Sequence, residues 1–100
     1  MNNKELELDL DIDFDIEEPK QSKVVLLNDD YSTMEFVVDI LVNIFHKTND
    51  EAMNIMLNIH NKGRGICGEY PSEIAYTKVA QVTKEARAKG FPLKAIVEED

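Results

Sequence analysis

Asn28, Asp29 and Asp30 put three side chains with acceptor oxygens at consecutive positions, directly after the apolar run Val24-Val25-Leu26-Leu27. Acceptors gathered at a strand end cost free energy unless their lone pairs find donors. Either neighbouring backbone N–H groups supply those donors or a ligand with several donors does. His60 is the second group of interest. It falls four residues after Met56 and seven after Met53, so it shares their helix face. Taken alone, a histidine on an apolar face is ordinarily structural, its ring nitrogens satisfied by backbone or a carboxylate. If its helix packs beside the strand end, the acceptors and His60 converge above a methionine-lined hollow. Such a site suits a primary ammonium carrying an apolar side chain. The ammonium brings three donors, and each charge-assisted hydrogen bond contributes roughly 1.5–3 kcal/mol. Burying a large apolar side chain adds ~1.5–3 kcal/mol. Less the association cost, the two reach the micromolar range, on the order of −8 kcal/mol. Methionine suits a pocket that accepts several shapes. A buried, neutral His60 would bind a cation less well once protonated.

Other chemistries have less support. Asp29, Asp30 and His60 are metal-ligand types, but no pair sits at a short recurrent interval such as His-x-x-x-His. Ser32, His60 and Asp29 are the residue types of a hydrolase triad. Ser32, however, reads as a helix cap, and no nucleophile elbow is present. Cys67 lies in Gly65-Ile66-Cys67-Gly68, a strand-like setting that points to a buried, inert thiol. His46 follows Phe45 near a helix end and reads as a partner of the helix dipole or a solvated side chain. No catalytic residue, cofactor or metal is assigned.

The elements that must position these groups are legible. A first strand is expected over 23–27. A helix follows from Ser32 or Thr33, because Ser32 and Glu35 have capping-box spacing. Its stripe is Phe36, Val37, Ile40, Leu41, Ile44 and Phe45. Thr48 and Glu51 repeat the capping signal, so a second helix is expected over about 50–61. Its apolar positions are Met53, Met56 and Leu57, with Ile55 and Ile59 on an adjoining face, and Gly63 is suited to close it. Residues 64–70 read as a second strand whose glycines suggest a bend or bulge. Pro71-Ser72 opens a third helix to about Lys89, with Ala75, Val79, Val82 and Ala86 inward. Gly90 and Pro92 stop it, and residues 93–97 form a third strand. The order β-α-α-β-α-β predicts an α+β sandwich, a three-stranded, mostly antiparallel sheet with three helices packed on one face.

One hundred residues make one domain with a modest core. The formal charge of −9 is uneven: residues 1–22 hold eight acids against two lysines, and residues 23–100 hold twelve against nine bases. That balance argues against nucleic-acid binding through phosphates. No apolar stretch is long enough to span a bilayer, and the acidic start is unlike a secretory signal. A single cysteine fits a reducing cytoplasm. Residues 1–22 are expected to be a flexible acidic extension and linker, the linker running from Glu17 to Ser22, and residues 23–100 the core domain. Within the extension, Leu6, Leu8, Leu10, Ile12, Phe14 and Ile16 alternate with Glu7, Asp9, Asp11, Asp13 and Asp15. Period two is a strand signal, but aspartate disfavours strands. The segment reads either as a loosely held tail or as a strip whose apolar side meets a sheet edge or a partner. No frame supplies the glycine and glutamate of an EF-hand.

The motifs Leu27-Asn28-Asp29-Asp30-Tyr31-Ser32-Thr33-Met34-Glu35-Phe36-Val37, Met56-Leu57-Asn58-Ile59-His60, Gly65-Ile66-Cys67-Gly68, Glu73 and Thr77-Lys78-Val79 occur in that order. Through them, residues 23–98 resemble the ClpS adaptors of bacterial N-end-rule degradation. The resemblance implies a cytoplasmic, non-enzymatic adaptor. Such an adaptor binds proteins whose N-terminal residue is Phe, Leu, Tyr or Trp and hands them to the ClpA unfoldase of the ClpAP protease. It implies that Asn28, Asp29 and His60 hold the substrate α-amino group. Ser32, Met34, Val37, Met56, Ile59 and Leu93 would line the side-chain pocket, Met34 guarding its mouth against β-branched residues. Glu73 and Lys78 would dock the ClpA N-terminal domain, and the acidic extension would engage the unfoldase during delivery. Three positions depart from the family's frequent residues: Ser32 for threonine, Ile59 for valine and Thr33 for proline. The first loosens a pocket wall, the second narrows the pocket by a methylene, and the third leaves the turn less rigid. The alternative class is a ribosomal-stalk-like interaction domain of the same layout, with no amine pocket and its working surface on the helices.

Overall fold

The structure is a computed structural model and describes residues 19–99. Strand β1, Gln21–Leu27, alternates Ser22, Val24 and Leu26 toward the helices, and all three are fully buried. Helix α1, Met34–Asn43, is capped by Thr33, whose Oγ1 accepts from the Phe36 N–H at 3.0 Å. After α1 the Lys47 N–H closes back on the Leu41 carbonyl at 3.1 Å, which requires His46 to take φ 57°. Helix α2, Asn49–Lys62, opens with the full capping box: Thr48 Oγ1 accepts from the Glu51 N–H and Glu51 from the Thr48 N–H. Gly63 ends it at φ 89°, a conformation that favours glycine. Strand β2 is Arg64–Pro71, helix α3 is Ser72–Lys89 and strand β3 is Lys94–Glu99.

The sheet order is β2-β1-β3. Both pairings are antiparallel, so the sheet is wholly so. The anticipated irregularity in β2 is a bulge: Val24 faces Gly68 and Val25 faces Ile66, leaving Cys67 without a cross-strand partner. The three helices cover one face. Their core joins Val24 and Leu26 to Phe36, Ile40 and Leu41 of α1, Met56 and Ile59 of α2, and Ala75, Val82 and Ala86 of α3. On the other face the register sets Val25 between Ile66 and Ile96. There Arg64 and Glu98, from the two edge strands, form an ion pair at 2.6 Å. No described helix is long and apolar enough to cross a membrane.

The elements differ from expectation in four places. Strand β1 starts two residues before Lys23, because Ser22 is buried and its Oγ lies 2.7 Å from Ser72 Oγ; Gln21 and Ser22 belong to the sheet, not to a linker. Thr33, not Ser32, caps α1. Helix α2 buries Ala52, Met56 and Ile59, while Met53 and Leu57 stay about half exposed. Two stripes on α2 satisfy the same periodicity, and the pressing of Ile59 against β2 selects the one with alanine. Strand β3 starts one residue later than expected and continues to Glu99. The alternating acidic segment, and the linker up to Glu18, lie outside the described residues.

Candidate functional site: an acceptor-rimmed apolar hollow

The turn after β1 is held from two sides. The Asn28 N–H donates to the Gly63 carbonyl at 2.9 Å, joining the strand end to the cap of α2. Asp29 Oδ1 then accepts from the Tyr31 N–H at 2.8 Å and the Ser32 N–H at 2.6 Å. This Asx-type turn carries the chain into α1. Partial burial pushes the Asp29 carboxyl up. The Ser32 N–H, the nearby Ser32 hydroxyl and the Tyr31 N–H outweigh burial and hold it below its ordinary value. Asp29 is therefore an anion at neutral pH.

Only one carboxylate oxygen is used by the turn. Asp29 Oδ2 and Ser32 Oγ are buried, and beyond the favourable proximity of that hydroxyl to the carboxylate neither has a hydrogen-bond partner. Both residues line a hollow of about 250 Å3 whose polar wall also includes Asn28, Asp30 and His60. Met34, Val37, Met56 and Ile59 form its apolar wall. The volume lies below the ~300–1,000 Å3 typical of drug-sized sites and has room for one large side chain. Gly65 shapes this wall from behind. A Cβ there would meet Ile59 Cγ1 at 2.7 Å, so β2 and Ile59 approach this closely only because position 65 has no side chain.

Eight of the nine residues expected at the hollow are brought together: Asn28, Asp29, His60, Ser32, Met34, Val37, Met56 and Ile59. Leu93 is not among the lining. It is buried in the core and borders a separate hollow beside the end of α3 and the start of β3. His60 is exposed at the rim, not buried as expected. Asp30 lines the hollow without having been given a role, although it stood in the acceptor cluster. Glu73 is exposed on α3. Lys78 Nζ turns inward to donate to the Ile44 carbonyl at 2.7 Å and sits 5.7 Å from the Tyr70 ring centre. The two side chains thus differ in availability. Cys67 is fully buried, and burial pushes its thiol up to about 12, which leaves it un-ionised and un-nucleophilic at neutral pH. Among the described residues no group of three or more His, Cys, Asp or Glu side chains is arranged to hold a metal ion.

The chain matches, over residues 17–96, the family described as ATP-dependent Clp protease adaptor protein ClpS. The Clp protease adapter ClpS of Wolinella succinogenes is 60% identical over 84 residues, covering 84% of this chain and 82% of the relative. That of Campylobacter jejuni subsp. jejuni is 52% identical over 85 residues, covering 85% and 88%. Among solved structures, Agrobacterium tumefaciens ClpS2 bound to L-phenylalaninamide superposes with a TM-score of 0.80 at 35% identity, covering 83% of this chain and 100% of that one. Family model, relatives and fold agree, and the chain belongs to the ClpS family, adaptors of the ATP-dependent Clp protease rather than enzymes.

Proposed function

We propose that this adaptor selects proteins by their N-terminal residue, binding a free α-amino group together with a Phe, Leu, Tyr or Trp side chain. It then delivers them to the ClpA unfoldase for degradation by ClpAP. The observation that carries the reading is the unpartnered, buried Asp29 Oδ2 beside Ser32 Oγ at the top of an apolar hollow. A buried carboxylate oxygen without a donor is costly, and an α-ammonium supplies that donor with the opposite charge. Asn28 and His60, on the same wall, accept the ammonium's remaining protons. The side chain enters between Val37, Met56 and Ile59. An internal peptide bond offers one N–H and no charge, so it does not satisfy the wall as a chain end does. L-phenylalaninamide, the ligand of the Agrobacterium relative, carries both a free α-amino group and a phenyl ring. The stalk-like alternative expects no such hollow.

Glu73 and Lys78 form the patch for the ClpA N-terminal domain, with Glu73 making the outward contact and Lys78 shaping the surface through its bond to the Ile44 carbonyl. The protein works in the cytoplasm, where its protease partner and newly exposed chain ends meet. Calorimetry with a Phe-initiated peptide and its N-acetylated form is the decisive test. The free peptide binds in the micromolar range or tighter, and acetylation abolishes binding. Equal affinities would overturn the reading.

A further inference from the structure

A second concavity, of about 570 Å3, lies between α1 and α3 and is larger than the amine hollow. Its floor is Phe36, Ile40 and Ile44, and its rim carries Lys78, Lys84 and Lys89. Asp39 and Glu85 oppose them. Lys84 and Lys89 make no ion pair among the described residues. In a chain of net charge −9 this is a local excess of cations over an apolar floor.

The chain holds one segment complementary to it. Residues 9–16 read Asp-Leu-Asp-Ile-Asp-Phe-Asp-Ile. Extended, they put four carboxylates on one side and four apolar side chains on the other. The point of departure is fixed: the Lys20 carbonyl accepts from the Ser72 N–H at 3.0 Å and the Ser72 hydroxyl at 3.4 Å. The N-terminal segment therefore leaves the domain at the first residue of α3. From Lys78 to Lys89 the helix rises about 16 Å at 1.5 Å per residue. Residues 9–16 span about 23 Å when extended at 3.3 Å per residue. Three extended residues, 17–19, would cover about 10 Å, enough to pass the first turn and a half of α3 and bring the segment to the groove.

We propose that residues 9–16 dock in the α1–α3 groove of their own chain, antiparallel to α3. Leu10, Ile12, Phe14 and Ile16 face Phe36, Ile40 and Ile44, and the aspartates pair with Lys84, Lys89 and Lys78. The tether makes the contact intramolecular, with an effective concentration in the millimolar range, so individually weak ion pairs suffice. Lys78 belongs both to this rim and to the patch proposed for the protease partner, so a partner bound there displaces the segment.

The test uses the full chain with a nitroxide on Leu8→Cys, next to the segment. Labelling is selective because Cys67 is fully buried. Amide resonances are read by 15N NMR in dilute solution, with no peptide ligand present, so the outcome is independent of the amine-pocket reading. Docking broadens the amides of Phe36, Asp39, Glu85 and Lys89 at least threefold more than those of Glu69 and Tyr70 in β2, which lie by the opposite end of α3. The double variant Lys84→Glu/Lys89→Glu, checked by its unchanged spectrum elsewhere, removes that contrast. Broadening spread evenly over the domain, confined to the sheet edges, or indifferent to the charge reversal overturns the proposal. So does broadening of the groove in unlabelled 15N protein mixed with labelled 14N protein, which would make a second copy the occupant.

Discussion

Asn28 and Gly63 are joined by a backbone hydrogen bond of 2.9 Å that ties the end of the central strand to the left-handed cap of α2. His60 sits three residues before that cap and Asp29 two residues after that strand. With this bond and the packing of Ile59 on Gly65, the two groups, 31 positions apart in sequence, line one hollow.

Asp29→Asn isolates charge from shape. The amide keeps an Oδ1 that accepts from Tyr31 and Ser32, so the turn persists, but the counter-charge is lost. A charge-assisted bond of roughly 1.5–3 kcal/mol corresponds to about 10- to 150-fold weaker binding. Calorimetry with a Phe-initiated peptide reads the loss. The same carboxyl sets an acid limit. Its folded value is depressed, so its contribution to stability is complete above the ordinary carboxylate range and disappears as pH falls through the lowered value. Far-UV melts between pH 7 and 3 show an acid decline that is smaller in Asp29→Asn.

Gly65→Ala drives a Cβ to 2.7 Å from Ile59 Cγ1. Overpacking of this kind costs about 1–3 kcal/mol and displaces Ile59 into the hollow. Peptide affinity and urea midpoint fall together. In an Ile59→Ala background the same change is nearly free, and that double-mutant cycle distinguishes the clash from general strain.

Met34 is about half exposed and lines the hollow. Met34→Ala opens the entrance, so Ile- and Val-initiated peptides gain about tenfold in affinity, near 1.4 kcal/mol, and Phe-initiated peptides change less. Fluorescence anisotropy across a peptide series measures the shift.

Cys67 links stability to alkaline pH. Burial raises its thiol to about 12 in the folded protein, against about 8.5 in an unfolded chain. Stability from keeping it neutral is complete below the unfolded value and is lost as pH rises toward the folded one, at up to about 1.4 kcal/mol per unit. Urea unfolding at pH 8, 9 and 10 shows a steeper decline for the natural protein than for Cys67→Ala.

His46 holds φ 57° without being glycine. His46→Gly removes that steric cost and stabilises the domain by about 0.5–1 kcal/mol. Thermal denaturation rises by a few degrees, and peptide affinity is unchanged.

Local signals read well from the sequence. Thr48 with Glu51, Gly63 and Gly90 each mark a helix end that depends on atoms within one turn. The acceptor cluster was legible for the same reason and His60 through the helix face that it shares with Met56, whereas the pocket roles of Met34 and Val37 came from the family resemblance and not from spacing. What escaped depends on distant packing. Ser32 and Thr33 are adjacent hydroxyls that can both cap a helix, and the Asp29 turn, which takes the Ser32 N–H, leaves Thr33 the cap, with Ser32 lining the hollow. Ala52 displaces Met53 from the core because α2 must approach β2 at Gly65. Lys78 bonds a carbonyl 34 residues away, and no spacing rule reports that. Leu93 is apolar and buried, but its neighbours lie at the far end of α3.

The strand nearest the N-terminal extension is also the middle one of three, laddered on both sides. A pull on residue 20 is aligned with β1, so extraction means shearing two rows of hydrogen bonds at once instead of peeling one. The N-terminal end of the described chain therefore enters the sheet at its most heavily bonded strand.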